Sequence, residues 1–225
     1  MTKSTIALLS LAILFFSTNS YAQKSNYFEF LGGMSSVSMT KGNLENDGRT
    51  AVNARFDLGY NLGIRFSFIG KKHLGWGLGL FYSKEGFKKE FIEAGSNFYL
   101  KHNPSYLKIP VNIYCICGDP ESKVHPILFG GLSLGLLLAD NEKIWNKTNT
   151  LKSYRKLFAY KTLDFGAQLG FGLKIDLNSS TSLLCSIKGY QGLTDVLTED
   201  HHLIVDSENN MNQSIGFQFG IMTKI

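Results

Sequence analysis

Charged residues, cysteines and long apolar segments are all scarce in this 225-residue chain. Only 18% of the residues are charged, against ~25% in ordinary globular proteins, so a typical cytosolic enzyme is a poor fit. The three cysteines are an odd number without Cys-x-x-Cys spacing, so neither a disulfide framework nor a zinc site is expected. Beyond the N-terminus, no uncharged apolar run reaches the ~20 residues that a membrane-spanning helix needs. A polytopic α-helical membrane protein is therefore excluded.

Glycine and aromatic residues are abundant instead. The chain has 23 Gly, 17 Phe, 10 Tyr and 2 Trp, a composition that excludes intrinsic disorder when charge is so low. The first residues predict a secretory signal peptide: Lys3 precedes an apolar stretch over 6–16, and Ser20-Tyr21-Ala22 is a small-x-small cleavage site. We predict a signal peptide over 1–22, cleavage near Ala22, and one exported domain over 23–225.

Strict alternation of apolar and polar residues is the strongest pattern. In residues 55–68 every even position is apolar or aromatic, and no odd position carries a large apolar side chain. Residues 162–175 repeat the pattern with opposite parity. A helix would spread both sets around its axis, so these segments are predicted strands. Weaker alternation predicts six further strands over 27–39, 74–85, 105–117, 125–138, 182–193 and 212–224.

The connections between these strands alternate in length. Segments 40–53, 86–104, 139–160 and 194–211 are long and polar, whereas 69–73, 118–124 and 176–181 are short. An even strand count with long and short loops on opposite ends is typical of outer-membrane barrels. We therefore predict an all-β fold, an eight-stranded antiparallel up-and-down transmembrane β-barrel in the outer membrane, with both termini in the periplasm.

The polar face of the predicted strands has the composition of a narrow lumen. It is rich in glycine and mixes charges of both signs, whereas the outer face of a soluble, lipocalin-like barrel (the alternative) prefers Lys, Glu and Thr. Aromatic residues near strand ends indicate interfacial girdles: Tyr27, Phe28, Phe66, Phe68, Trp76, Tyr82 and Tyr106. The predicted polar network of the lumen consists of Arg55, Asp57, Asn61, Arg65, Asp164, Gln168, Lys174 and Lys188.

Several short motifs resemble the PorT-like outer-membrane β-barrel family of the Bacteroidetes. Residues 106–110 (Tyr-Leu-Lys-Ile-Pro) are similar to that family's Tyr-Leu-x-Ile-Pro, and Tyr82, Ser83 and Gly86 match its Tyr-Ser-x-x-Gly. Gly130-Gly131 and the segment 192–195 also match. The resemblance covers essentially the whole mature chain and implies an outer-membrane barrel; the name-giving member supports secretion and maturation of surface proteinases. Ile225 departs from the family's closing aromatic residue.

The sequence offers no convincing catalytic, cofactor or metal site. Glu199-Asp200-His201-His202 lies on a predicted loop, where adjacent residues rarely form a metal site, and Ser105 has no certain partner in His102 or His125. We expect a non-enzymatic barrel with a structural or interaction role, accessory to protein secretion or surface assembly. A narrow passive transport pore is the alternative, followed by a lipid-modifying enzyme.

Loop charges indicate the partners. Segment 139–161 is basic, and its lysines and arginine form a candidate site for lipopolysaccharide phosphates or another envelope protein: Lys147, Lys152, Arg155 and Lys156. Segment 194–211 carries five acids and no Lys or Arg, so pairing of the two loops across the mouth is a further possibility. Outer-membrane lipid is the expected surrounding, and the modest net charge of an exported barrel argues against nucleic acid.

Overall fold

The computed structural model describes residues 25–39, 45–46, 49–70, 73–93, 96–119, 121–146, 160–196 and 211–225. The strands in these ranges are β1 (Ser25–Met39), β2 (Glu45–Asn46), β3 (Arg49–Ile69), β4 (Leu74–Lys84), β5 (Phe87–Glu93), β6 (Ser96–His102), β7 (Ser105–Ile116), β8 (Val124–Ala139), β9 (Glu142–Asn146), β10 (Leu163–Asp176), β11 (Thr181–Gly192) and β12 (Asn212–Lys224). The described part of the chain contains no helix with the length and apolarity to cross a membrane. The predicted signal peptide lies outside the described residues and stays a prediction.

Eight of these strands close into a barrel. Around the wall the order is β1, β12, β11, β10, β8, β7, β4 and β3, with antiparallel pairing throughout. β1 pairs with β12 on one side and with β3 on the other, which closes the cylinder. Closure leaves no unpaired wall edge, as a hydrocarbon environment requires. The predicted eight-stranded antiparallel barrel is confirmed. Its strands begin and end within about two residues of the predicted bounds, except that β3 begins at Arg49 instead of residue 55.

The two sets of alternating residues lie on opposite sides of the wall. On β3, Leu58 is 70% exposed and its neighbour Asp57 only 5%. On β10, Leu169 is 65% exposed and Gln168 only 8%. The apolar set therefore covers the outside of the barrel and the polar set lines its interior, which is the arrangement of a barrel surrounded by lipid.

Short turns and both described ends of the chain lie at one end of the barrel, here called the short-turn end. The backbone N–H of Ile225 donates to the carbonyl of Asn26 at 2.9 Å, so the last residue lies beside the start of β1. The turn after β10 is held by Asn178, whose Oδ1 accepts from the backbone N–H groups of Ser180 and Thr181 at 2.9 and 2.8 Å. This side-chain-to-backbone pattern explains why the sequence turns there.

The opposite, long-loop end differs from the sequence prediction. β3 continues past the wall, and its residues 50–56 pair with β5, β5 with β6, and β6 with β9. Segments 40–53, 86–104 and 139–160 were predicted as loops, but they contain β2, the start of β3, β5, β6 and β9. We call this extension the distal sheet. The prediction was wrong because these strands lack the period-two apolar pattern of the wall.

Candidate functional site in the barrel lumen

A buried ion pair occupies the lumen toward the short-turn end. Glu29 on β1 accepts from the guanidinium of Arg65 and from the hydroxyl of Ser67, both on β3. Glu29 is 0% exposed and Arg65 7%. The Arg65 guanidinium also lies 4.8 Å from the ring centroid of Tyr114, a favourable cation–π position. Register explains the pairing, because Glu29 and Arg65 are directly opposite on neighbouring strands.

Inward glycines let polar side chains meet across an intervening strand. Gly131 on β8 is opposite both Asn112 and Gln168, and Gln168 Nε2 donates to Asn112 Oδ1 at 2.6 Å over it. Gly33 on β1 is likewise opposite Asn61 and Gln218, whose amides bond at 3.1 Å. A Cβ on Gly131 would lie 2.6 Å from Asn112 Oδ1, and one on Gly33 would lie 2.3 Å from the backbone carbonyl oxygen of Phe217. The glycine-rich inner face thus serves specific hydrogen bonds in addition to fitting a narrow bore.

A charged cluster occupies the lumen toward the long-loop end. Lys108 Nζ lies 2.5 Å from Glu85 Oε1 and 3.6 Å from Asp164 Oδ2, meeting the latter over Gly135. Tyr190 donates its hydroxyl to Asp164 Oδ2 at 2.9 Å, and the Lys108 ammonium lies 3.5 Å from the Tyr190 ring centroid. All four side chains are buried, and Lys108 is the ammonium that contacts both carboxylates. Among the described side chains, Glu85 Oε2 and Asp164 Oδ1 have no hydrogen-bond partner, so the charges of the cluster are satisfied only in part.

Aromatic rings fill much of the remaining bore. Gly63 and Gly79 flank Phe81, and a Cβ on either would approach its ring to 2.6 Å. A Cβ on Gly166 would overlap the Tyr190 ring, and one on Gly170 would overlap the Phe129 ring. Toward the short-turn end, a lumen cavity of ≈20 Å³ lies beside Arg65, Tyr114 and Phe129. A second lumen cavity, lined by Glu85, Lys108, Tyr190, Gln168, Gln218 and Lys188, has a volume of ≈30 Å³. That volume has room for roughly two water molecules.

Ion pairs at the two ends of the bore are more accessible to water. Near the long-loop end, Asp57 accepts from Lys88 at 3.0 Å and from Lys101 at 2.7 Å. Near the short-turn end, Asp176 accepts from Lys174 and lies 3.1 Å from His125 Nε2. The interior therefore holds separate polar contacts at several levels between the two ends of the barrel.

A family described as "Outer membrane protein beta-barrel domain" matches residues 21–198. The chain belongs to this family. Membership places the barrel in the outer membrane and agrees with its closed wall and apolar exterior. No curated protein sequence matches the chain.

Solved outer-membrane barrels are similar to this one in structure. Neisserial surface protein A is 11% identical, with 89% of this chain and 97% of that chain covered and a TM-score of 0.49. The outer membrane protein OprG from Pseudomonas aeruginosa is 16% identical, with 91% and 98% covered and a TM-score of 0.45. Outer Membrane Protein W of E. coli is 14% identical, with 89% and 98% covered and a TM-score of 0.44.

Most of the predicted lumen residues of this outer-membrane barrel point inward. Buried inward positions are held by Asp57, Asn61, Arg65, Asp164, Gln168 and Lys174, and Lys188 lines the cavity. They form several local contacts rather than one connected network. The side chain of Arg55 is outside the described set. So are the four loop residues proposed for lipopolysaccharide, Lys147, Lys152, Arg155 and Lys156, and the segment 199–202.

Two girdle residues were assigned wrongly, and several lumen residues were missed. Tyr27 has the inward parity of Glu29 on β1 and packs against the buried interior residues Leu31 and Phe81. Tyr106 is 0% exposed and faces the lumen, where its hydroxyl accepts from Asn212 at 3.4 Å. Its parity on β7, shared with Lys108, already indicated this. The other partners that sequence reasoning did not name are Glu29, Glu85, Lys108, Asn112, Tyr190 and Gln218. Their inward parity was readable from the sequence, but their pairing depends on register between strands far apart in the chain.

The residues considered for catalysis have the following contacts in the structure. Ser105 accepts a hydrogen bond from Tyr82 at 3.0 Å, and His102 stacks on Phe87 and lies 3.3 Å from Asp140. His125 is at the opposite end of the barrel, beside Asp176. Within the ranges that the structure describes, no group of three or more His, Cys, Asp or Glu residues is placed to hold a metal ion.

Proposed function

We propose that the protein is a non-enzymatic outer-membrane barrel with a structural or interaction role, accessory to protein secretion or surface assembly. The observation that carries this proposal is the occupied lumen, where aromatic rings and charged side chains fill the bore around small cavities of ≈30 and ≈20 Å³. A bore of this kind offers no path for solutes, so the function is assigned to surfaces rather than to transport.

The finer family assignment supports the accessory role. Residues 106–110 and the Tyr82-Ser83 and Gly86 positions resemble the PorT-like family of the Bacteroidetes. Under this proposal the signal peptide is removed near Ala22, the short-turn end with both termini faces the periplasm, and the long-loop end faces outward. Expected partners are outer-membrane lipid, lipopolysaccharide and other envelope proteins, with Lys147, Lys152, Arg155 and Lys156 as the lipopolysaccharide contact.

Conductance in planar lipid bilayers tests the proposal. The native protein is expected to give no stable open level, because the charged cluster and the rings block the bore. A variant with Phe81→Ala and Tyr190→Ala removes two of those rings and is the matched control that should conduct. Stable large openings of the native protein would establish the pore alternative instead.

A second assay addresses the enzyme alternative. Purified protein in micelles is incubated with labelled phospholipid and lipopolysaccharide, and no release of acyl chains is expected because Ser105 and His125 lie at opposite ends of the barrel. Turnover that disappears in a Ser105→Ala variant would contradict the non-enzymatic assignment.

A further inference from the structure

Basic residues line up across the strands of the distal sheet. Lys88 on β5 is directly opposite Lys101 on β6, and Lys101 is directly opposite Lys143 on β9. On the other side of β5, Arg55 on β3 is directly opposite Lys88. Neighbouring strands are ~4.8 Å apart, and residues opposite each other share a face of the sheet. We call Lys88, Lys101 and Lys143 the lysine row.

The lysine row faces the mouth of the barrel and is accessible to solvent. The ammonium groups of Lys88 and Lys101 both contact the carboxylate of Asp57, an inward residue that is 5% exposed. This face of the distal sheet is therefore continuous with the inner surface of the barrel. The side chains of Lys88 and Lys101 nevertheless remain 43% and 30% exposed, and Lys143 is exposed.

The charge of the row is not balanced. Among the side chains that the structure describes, Asp57 is the carboxylate paired with Lys88 and Lys101, and Lys143 has no ion pair with a described carboxylate. Like charges placed opposite one another in a sheet repel, so the arrangement is unfavourable unless an anion lies against it. Lysine ammonium groups suit phosphate, sulfate and carboxylate groups as point charges.

Neighbouring positions on β6 and directly after it carry side chains of another kind. Tyr99 lies two residues before Lys101 on β6, so side-chain alternation places both on one face of the strand, and Asn103 follows the end of β6. A tyrosine ring offers a flat apolar surface with a polar edge, and an asparagine amide both donates and accepts hydrogen bonds. These groups complement hydroxyl-rich rings, whereas the lysines complement their charged substituents.

We propose that the lysine row, together with Tyr99 and Asn103, binds a polyanionic glycan, a sugar chain that carries repeated carboxylate, sulfate or phosphate groups. Its three cations extend over ~10 Å across three strands, so they engage successive charged groups of one chain rather than a single ion. The inference rests on the proposed function in that a barrel with a filled bore presents its recognition surface at the long-loop end.

Binding of dextran sulfate to the full-length protein in detergent tests this inference, with uncharged dextran as the reference. The row variant is Lys88→Gln/Lys101→Gln/Lys143→Gln. The control variant Lys84→Gln/Lys123→Gln/Lys161→Gln has the same net charge but leaves the row intact. At low salt we expect the row variant to bind about tenfold or more weakly and to lose salt sensitivity, with the control within about twofold of native.

Lys143→Gln alone provides a variant that touches no described carboxylate and so leaves the Asp57 pairs in place. It should weaken binding about two- to fivefold. Heat-modifiable electrophoretic mobility checks that each variant is folded.

Three outcomes would overturn the inference: undiminished binding by folded Lys143→Gln and row variants, an equal loss in the control variant, or equal binding of uncharged dextran. Full competition by inorganic phosphate at the same anion concentration would overturn the glycan assignment, because the sugar would then contribute nothing. These results are separate from conductance, so the filled bore and the glycan site can fail independently.

Discussion

Replacement of Glu29 by Gln tests the energetic role of the buried ion pair. The substitution keeps the side-chain shape but removes the negative charge opposite Arg65, in a site where Glu29 is 0% and Arg65 7% exposed. Removing one partner of a buried pair costs ~3–5 kcal/mol because the other charge stays buried. The new amide oxygen still accepts a hydrogen bond and the Tyr114 ring stays under the guanidinium, so we expect the lower figure, ~3 kcal/mol. That corresponds to a more than ~100-fold change in the ratio of folded to unfolded protein.

Urea titration in detergent micelles, read by heat-modifiable electrophoretic mobility, measures this loss. Arg65→Gln and the double variant complete a double-mutant cycle, in which the double variant should be ~1–3 kcal/mol more stable than the sum of the single effects. Asp57→Asn is the matched control: its lysine partners are 43% and 30% exposed, so it should cost ~1 kcal/mol or less. The reasoning is refuted if Glu29→Gln costs no more than Asp57→Asn, or if the cycle is additive within ~0.5 kcal/mol.

Two further pairs of substitutions probe the wall. Leu169→Arg places a charge on the apolar exterior and should destabilise the barrel by ~2–4 kcal/mol if residue 169 lies near the midplane. Leu177→Arg, in the turn after β10, is the control and should cost ~0–1 kcal/mol. Equal stability of the two variants in the same urea titration would contradict the assignment of the lipid-facing side. Gly131→Ala brings a Cβ against the carbonyl of Val111 and to 2.6 Å from Asn112 Oδ1, so it should cost ~1–3 kcal/mol. Gly189→Ala is the control: the atom nearest to its added Cβ is 3.8 Å away, so the change in the free energy of unfolding should stay within ~0.5 kcal/mol. A larger loss of stability in Gly189→Ala than in Gly131→Ala would show that glycine at 131 is not needed for the Asn112–Gln168 contact over it.

The barrel wall was predictable because one physical requirement acts at every position. A wall between lipid and a narrow bore demands strict alternation, and residues 55–68 and 162–175 show it almost without exception. The distal sheet carries no such requirement, so β5, β6 and β9 have no comparable signature and were read as loops. Amino-acid composition and polarity alone do not distinguish a strand without an apolar face from a loop.

The lumen contacts were predictable only in part. Parity identifies inward residues such as Asp164 and Gln168, but a one-residue slip in pairing would change every neighbour they have. The Glu29–Arg65 pair depends on the register of β1 against β3, and the Asn112–Gln168 bond on the register of two strands against β8. Tyr106 lies near a strand end, as girdle residues do, but its parity on β7 places it in the lumen, where it is buried.

β3 is a single strand of 21 residues that belongs to both the barrel wall and the distal sheet. It pairs with β1, the strand at which the cylinder closes, and its far half pairs with β5. Mechanical load applied to the distal sheet, such as the pull of a bound macromolecule, therefore enters the wall along one uninterrupted backbone beside the closing seam.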